Sequence, residues 1–463
     1  MTTCRLATAT LVLGLAAGGA WSQDADDRPL LQAGAARLDI TPPHDDRFPA
    51  MDEYEHEHLF LRAIAIGNGS ARALLIGADL SGIDESVWGP MVAGLAEETG
   101  IPEENILISS THTHSDWPLR QIVSGTPRWG TDFLAEKVLD VAGEALAAME
   151  PAKVGFAEGE AHLNVNRDTI DPVTKAWTQA ANLDAVSDPA LGVIAFFGSG
   201  GAPIAAVANY AMHPVNGYLA GFTSADFPGA MSRHVETAFG DGMVTLFTQG
   251  ASGDQNPRWL RTGTNALAAR SGQEVTGFEM VREDIEAPIR TGEMPAGLVT
   301  ADMAHELGDY MQALGVVLGE EAIRVMSHME LRDAARIEGR QAIVTCPGRT
   351  RLDNVREGAA GEYEDGPDVE IRVGMLGIGD IALLTTNAEV YTDIGLAVKA
   401  RSPLSKAMYV TLANGKANSG YIPDDESFGH QTFQVLGSKL KPGCAGEAIP
   451  AAIAGLVGDY LSE

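Results

Sequence analysis

The sequence predicts an α/β fold, a large single domain in which mixed sheets are flanked by helices and a chemical site gathers at strand ends. Three observations carry this expectation. Apolar runs at 71–79 and from Ile106 onward are separated by a helical segment at 86–99, the strand–helix–strand order of a parallel sheet with its sites at carboxyl strand ends. A later stretch, 369–386, reads as an antiparallel hairpin around Gly379-Asp380. Two apolar strands also stop at histidines, His112 and His213.

Composition sets the outer bounds. At 463 residues the chain exceeds one ordinary domain, yet α/β enzymes reach this size as one unit. With 45% apolar and 21% charged residues a sizeable core is available. Asp and Glu number 63 against 32 Lys and Arg, leaving a net charge of −31. Such a surface repels nucleic acid and anionic membrane alike, so no nucleic-acid partner is expected.

Residues 1–22 read as a secretory signal, with Arg5 ahead of an apolar segment at 6–17 and the small residues Ala20 and Ser22 before a cut expected at Gln23. The expectation is an exported protein, periplasmic or extracellular. No later apolar run is long enough for a transmembrane segment. Once Cys4 is removed, Cys346 and Cys444 remain. That excludes a disulfide framework and a multi-cysteine metal site, and leaves either one disulfide or two buried thiols.

After a charged, unstructured stretch at 23–32, order begins with a strand at 33–43 that two prolines end. The tract Glu55-His56-Glu57-His58 alternates like a metal-binding segment but reads better as a loop entering the strand 59–66. In the strand 71–79, Asp79 stands at the carboxyl end, where it becomes a neighbour of His112 if the two strands are parallel. The strand from Ile106 runs into Ser110-Thr-His-Thr-His-Ser115. In extended backbone, residues two apart point to the same side, so His112 and His114 converge on one cavity. Two such imidazoles supply a metal ligand and a proton carrier.

A helix at 131–149 and a strand at 152–158 lead to Asn164-Val-Asn-Arg167. The strand 203–211 then ends in Met212-His213-Pro214, and Ser224 caps a helix to about residue 239. A strand at 243–248 enters Gln249-Gly-Ala-Ser-Gly-Asp-Gln-Asn-Pro257, whose glycines mark a tight loop. Its glycine spacing is one residue short of a nucleophile elbow, so Ser252 is a weak nucleophile candidate. The irregular stretch 258–295 is long enough to be a lid, a binding loop or a disordered insert.

A long amphipathic helix at 298–327 follows, then strands at 335–345 and across 369–386, and a helix from about 391 to 399. Strand 407–412 runs into the Gly/Asn-rich segment 413–423, and a helix at 446–461 closes the chain. Neither an internal repeat nor a linker interrupts it. His112, His213, Glu389 and Tyr421 thus all lie just beyond strands, where four such groups could complete a site around one divalent metal, one of several sites that the pattern alone allows.

The segments Ser110-Thr-His-Thr-His-Ser115, Asn209-Tyr-Ala-Met-His-Pro214, Ser224-Ala-Asp-Phe-Pro-Gly229, Gly250-Ala-Ser-Gly-Asp-Gln-Asn-Pro257, Asn387-Ala-Glu389 and Gly420-Tyr-Ile-Pro423 follow one another in this order. The ordered set resembles the catalytic domain of the neutral/alkaline, non-lysosomal ceramidases over roughly residues 34–463. That resemblance implies a zinc-dependent amidohydrolase acting on ceramide or a related acylated, lipid-like substrate. It implies zinc held by His112, His213, Glu389 and Tyr421, with His114 and Arg167 handling protons and the developing oxyanion. Two departures stand out. Asn256 occupies the place of a family serine, and the chain ends where those enzymes continue into an immunoglobulin-like domain, so a relative with an altered substrate is expected. An ester or lactone hydrolase using the same metal is the nearest alternative. A non-catalytic binding protein would require lost ligands, whereas all four positions hold competent residues.

Overall fold

The computed structural model describes residues 30–41, 58–116, 119, 131–217, 223–260 and 301–463. The expected signal at 1–22, His56 and all of the 258–295 stretch beyond Leu260 lie outside these residues.

An antiparallel meander opens the chain: β1 (Gln32–Asp39), β2 (Phe60–Gly67) and β3 (Arg72–Ala78). The helix Glu85–Thr99 stops at Gly100, whose φ of 67° suits a residue without Cβ, and the chain returns as β4 (Ile106–Ser110), parallel to β3. After the helix Thr131–Ala147 come β5 (Glu150–Glu160), β6 (Asn164–Ile170), β7 (Trp177–Asn182), β8 (Ala190–Gly198) and β9 (Pro203–Tyr210). The helix Asp226–Ala238 connects β9 to its parallel neighbour β10 (Val244–Gln249), and β11 (Gln255–Pro257) follows.

Beyond the helix Ala301–Met326 lie β12 (Ile337–Arg351), β13 (Tyr363–Ile378) and β14 (Ile381–Thr386). The last segments are β15 (Glu389–Val390), the helix Thr392–Arg401, β16 (Lys406–Val410), β17 (Tyr421–Ile422), the short helix Phe433–Gly437 and the closing helix Ala445–Ser462.

Eight strands form one mixed sheet in the order β10-β9-β8-β5-β1-β2-β3-β4. Its middle join, β1 to β5, is two residue pairs long, so the sheet behaves as two leaves. The leaves face each other, because a Cβ on Gly77 of β3 would meet the Leu246 side chain of β10 at 2.6 Å. Ile64, Leu75, Ile194, Val207 and Leu246 fill the space between them together with residues of β13, β14 and β16. Burial on both faces explains why β2, β3 and β4 are nearly continuous apolar runs rather than alternating ones. Helices 85–99 and 131–147 cover one leaf, and helices 226–238 and 301–326 cover the other. A second sheet, β12-β13-β14-β16, packs against helices 392–401 and 445–462.

The expected α/β architecture with mixed sheets and flanking helices is present, and the hairpin turns at Gly379-Asp380 as expected, Gly379 having a φ of 64°. Of the two alternatives for the cysteines, the structure has the disulfide, Cys346–Cys444. The helix expected from Ser224 begins at Asp226, whose N–H donates to the Ser224 hydroxyl at 2.9 Å. Strands β7 and β8 were not anticipated. Asp79 does adjoin the His112 loop, since Thr111 N–H donates to the Ala78 carbonyl, and its carboxylate accepts from Arg62 Nη1 at 2.8 Å and Phe60 N–H at 2.9 Å.

Candidate metal centre and active site

The segment carrying His112 is not the extended strand that its spacing implies. β4 ends at Ser110, and His112 has a φ of 67° in the left-handed region, so alternation along a strand does not aim the two imidazoles. Hydrogen bonds fix the turn instead. His112 N–H donates to the Leu80 carbonyl at 2.9 Å, and His114 N–H donates to the Pro214 carbonyl at 3.1 Å, which ties the two histidine loops together. His112 Nδ1 lies 2.6 Å from the Ser81 carbonyl. A carbonyl only accepts, so Nδ1 carries the proton and Nε2 presents a lone pair.

His213 is fully buried, and the same logic holds. Its backbone N–H and its Nδ1 both reach the Gln255 carbonyl at 3.1 Å, leaving Nε2 unprotonated. Gln249 steadies the approach by donating its side-chain amide to the Met212 carbonyl at 2.8 Å. Burial first, and the nearby Arg167 cation second, push the imidazole down to about 3, so it is neutral.

Glu389 and Tyr421 come from a separate part of the chain, and one loop brings them in. Ser110 N–H donates to the Leu412 carbonyl, Thr411 N–H to Gln249, Leu412 N–H to Ala388 and Asn414 N–H to Ile108. These four bonds stitch the ends of β4, β10 and β14 to one point. β15 and β17 then pair in parallel, with Glu389 opposite Tyr421.

The result is a cluster of electron-pair donors. His112 Nε2 lies 3.2 Å from His213 Nε2, and Glu389 Oε2 lies 3.2 Å and 3.5 Å from the two nitrogens. Oε2 is buried and makes no hydrogen bond. Burial raises the Glu389 carboxyl, whereas positive charge at this point, foremost on the His112 side, outweighs burial and holds it well below the usual carboxylate range. Tyr421 is pushed up by burial and by Glu389, with Arg167 acting against them. Two imidazole lone pairs and a carboxylate around one point repel unless a cation lies between them. This donor set fits a divalent metal ion.

His114 joins the same cluster. Its Nε2 is 3.3 Å from His112 Nε2, and His112, His114 and His213 present ligand atoms all within 4.8 Å of one another. Distance alone therefore does not separate a ligand from a proton carrier in this pair. Arg167, on β6, is buried; it donates to the Gly253 carbonyl at 2.6 Å and to Asn256 Oδ1 at 3.2 Å, while its Nε has no hydrogen-bond partner. Burial acts to lower it, but Tyr421 and neighbouring anions win and raise it, so it stays a cation. Asn256, the position noted in the sequence as a departure, is thus one of two acceptors that hold Arg167, the Gly253 carbonyl being the closer.

His58 bonds Asp39 at 2.8 Å near the surface and is not in the cluster. Ser252 is buried, and its loop serves close packing, since a Cβ on Gly253 would meet Val390 and Tyr391 at 2.9 Å. The sequence reading missed the carbonyls of Ser81 and Gln255, which no side-chain pattern signals. It also missed Asp254, whose carboxylate accepts from Asn166 Nδ2 at 2.7 Å and from Thr392 N–H at 2.9 Å. Burial raises Asp254 to about 7, the Thr392 hydrogen bond opposing and the Asp168 charge adding to the rise.

No family model and no curated protein matches the sequence of this chain. Solved structures do match. A ceramidase complexed with C2 is 16% identical, with a TM-score of 0.67 over 94% of this chain and 76% of that one. The neutral ceramidase from Pseudomonas aeruginosa is 17% identical, with a TM-score of 0.64 over 94% of this chain and 74% of that one. The motif resemblance and the three-dimensional likeness agree: this chain has the fold of the ceramidases of known structure.

Proposed function

We propose that the chain is a metal-dependent hydrolase of N-acyl amides, using zinc, with ceramide or a related acylated amine as the substrate class. The observation that carries this reading is the convergence of His112 Nε2, His213 Nε2 and the unbonded Glu389 Oε2 on one buried point. The shared ceramidase fold supports the amide as the bond cleaved.

In this reading His112, His213, Glu389 and Tyr421 hold the ion. Bound there, zinc supplies Lewis acidity towards the substrate carbonyl and lowers the pKa of water from 15.7 towards ~7. Arg167, a buried cation beside Tyr421, opposes the rise that burial and Glu389 impose on the phenol and offers its guanidinium to negative charge developing on the carbonyl oxygen. His114 is less buried than its two neighbours and takes the proton of the attacking water, returning it to the leaving amine. Water adds across the C–N bond, giving a carboxylic acid and an amine.

The whole of 33–463 is one catalytic domain in this proposal, and the chain is exported. The Cys346–Cys444 disulfide supports an oxidising compartment. Among the described residues no helix is long and apolar enough to cross a membrane.

The test is metal analysis of the purified protein together with hydrolysis of matched amide and ester substrates. Zinc near one per chain with amide turnover supports the proposal. Metal-dependent ester turnover without amide turnover assigns the site to ester or lactone cleavage instead. A protein that binds no metal and turns over neither substrate overturns the proposal.

A further inference from the structure

Asp168 is a buried carboxylate that takes no part in the metal cluster. It follows Arg167 on β6 and gathers four donors on its two oxygens. Tyr391 donates its hydroxyl to Oδ2 at 3.0 Å, His430 its Nδ1–H at 3.2 Å and Thr432 its hydroxyl at 3.4 Å, while Gln434 Nε2 donates to Oδ1 at 3.1 Å. The Trp177 ring, from β7, stacks on His430 with ring centres 3.8 Å apart. A buried, fully satisfied carboxylate contributes little net stability over well-packed apolar side chains, so what it adds here is a fixed geometry.

Each of these donors leads to a residue of the proposed site. Tyr391 stands two residues after Glu389, and its N–H donates to the carbonyl of Ile422, the neighbour of Tyr421. Thr432 and Gln434 flank Phe433, whose ring centre lies 5.6 Å from that of Tyr421, edge to face, and 5.3 Å from the Arg167 guanidinium carbon. The Tyr421 ring centre is 5.5 Å from the same carbon. Glu357 adds a second clamp, accepting from Phe433 N–H at 3.2 Å and from the N–H of Gln179 at 2.7 Å, and Gln179 is paired with Asp168 between β7 and β6. Arg167 is therefore held from two sides. Its hydrogen bonds go to the loop at 253–256, and its aromatic contacts include a ring whose segment Asp168 anchors. The ladder is irregular at this point: Asn166 pairs with Asn182 but Asp168 with Gln179, so β7 carries an extra residue opposite Arg167.

We propose that Asp168 is the positioning residue of Arg167: through Thr432 and Gln434 it fixes Phe433 against the guanidinium, and through Tyr391 it fixes the backbone beside Glu389 and Tyr421. The proposal rests on the amidase reading and adds a residue to its machinery. An arginine side chain reaches a fixed aim only through its contacts, and an oxyanion donor acts only when that aim is set before the charge develops. Asp168 touches neither the ion's ligands nor the reacting atoms; it acts through the ring and the strand that hold the cation.

The experiment is a double-mutant cycle in the full chain, with Asp168→Asn and Arg167→Met made singly and together. Zinc content, kcat and KM on N-octanoylsphingosine, and calorimetric binding of octanoate, the carboxylate product, are measured for each protein. Asp168→Asn is expected to keep its zinc and its KM, to lose about 10²-fold in kcat and to bind octanoate about tenfold more weakly. In the Arg167→Met background the same substitution is expected to cost nothing further in either readout. Losses that multiply, or a wild-type kcat in Asp168→Asn, overturn the proposal and leave the amidase standing. Phe433→Leu, which removes the ring and keeps the carboxylate, should give the same non-additive cycle with Arg167→Met, and it decides the matter if Asp168→Asn does not fold. Octanoate binding that follows the cycle without turnover of the amide upholds the positioning and rejects the amidase. A wild-type protein that neither binds octanoate nor cleaves the amide overturns both.

Discussion

Glu389 faces Tyr421 across a parallel ladder two residues long, so the spacing of a carboxylate and a phenol is set by backbone hydrogen bonds rather than by side-chain packing. Tyr421→Phe should therefore keep the fold and the carboxylate in place and weaken the metal. His112→Ala or His213→Ala, which remove Nε2 donors from the centre of the cluster, should empty it. Zinc per chain measured after dialysis decides this, and full occupancy in either histidine variant would falsify the ligand assignment.

His114 distinguishes two readings of the same cluster. With His114 as proton carrier, His114→Ala retains zinc and loses roughly 10²–10⁴ in turnover. His112→Ala loses both together. Single-turnover rates and metal content are measured side by side. Equal zinc loss from the two variants means that both imidazoles are ligands and that the proton carrier lies elsewhere.

The tract containing His56 and His58 provides a contrast. His58 is already paired with Asp39 near the surface, so the double alanine variant is expected to keep its zinc and most of its activity. A folded double variant without metal would show that the wrong histidines were chosen.

Asp254 predicts a pH effect on stability. Its folded pKa, raised to about 7, lies above the unfolded value of ~3.9, so between these limits the folded chain holds a proton that the unfolded chain has lost. Its contribution is full below the lower value and is lost as pH rises to about 7, at up to ~1.4 kcal/mol per unit. Asp254→Asn cannot ionise and should remove one proton from that slope. Urea unfolding of the chelated protein at several pH values between 4.5 and 8, extrapolated linearly to zero denaturant, measures it, and identical slopes in the two proteins would rule the effect out.

The Cys346–Cys444 bond closes a separation of 98 residues between β12 and the start of the last helix. A loop of that length places the stabilisation at about 2–5 kcal/mol. The double alanine variant should show that loss in denaturant unfolding, and so should the reduced wild type. An unchanged midpoint would contradict it.

The sequence makes some features legible and hides others for physical reasons. Helices 301–326 and 445–462 show a continuous helical pattern, and the hairpin at Gly379 shows a turn signal between two apolar runs. β7, Trp-Thr-Gln-Ala-Ala-Asn, has neither strong alternation nor a continuous apolar run, because it lies in a small three-stranded sheet that is half-buried. Arg62 hides differently: a lone cation in the apolar run of β2 gives no hint that Asp79 and Glu236 wait for it in the core. The four proposed ligand positions stand at strand ends and could be picked from the sequence. Their meeting could not, because it depends on two leaves of one sheet folding face to face, and on His112 adopting a left-handed turn.

The stitching of β4, β10 and β14 by residues 411–414 has a kinetic consequence. The loops of His112 and His213 are tied directly by the His114–Pro214 hydrogen bond, but Glu389 is tied to them through the loop from 411 to 414, which docks on three strand ends, so the cluster is assembled from contacts distant in sequence. Contacts of such long sequence separation form slowly and late. A metal ion held by this cluster would bind the finished state alone and so draw the docking of residues 411–414 forward by mass action, and a chain stopped short of residue 411 is expected to bind it more weakly.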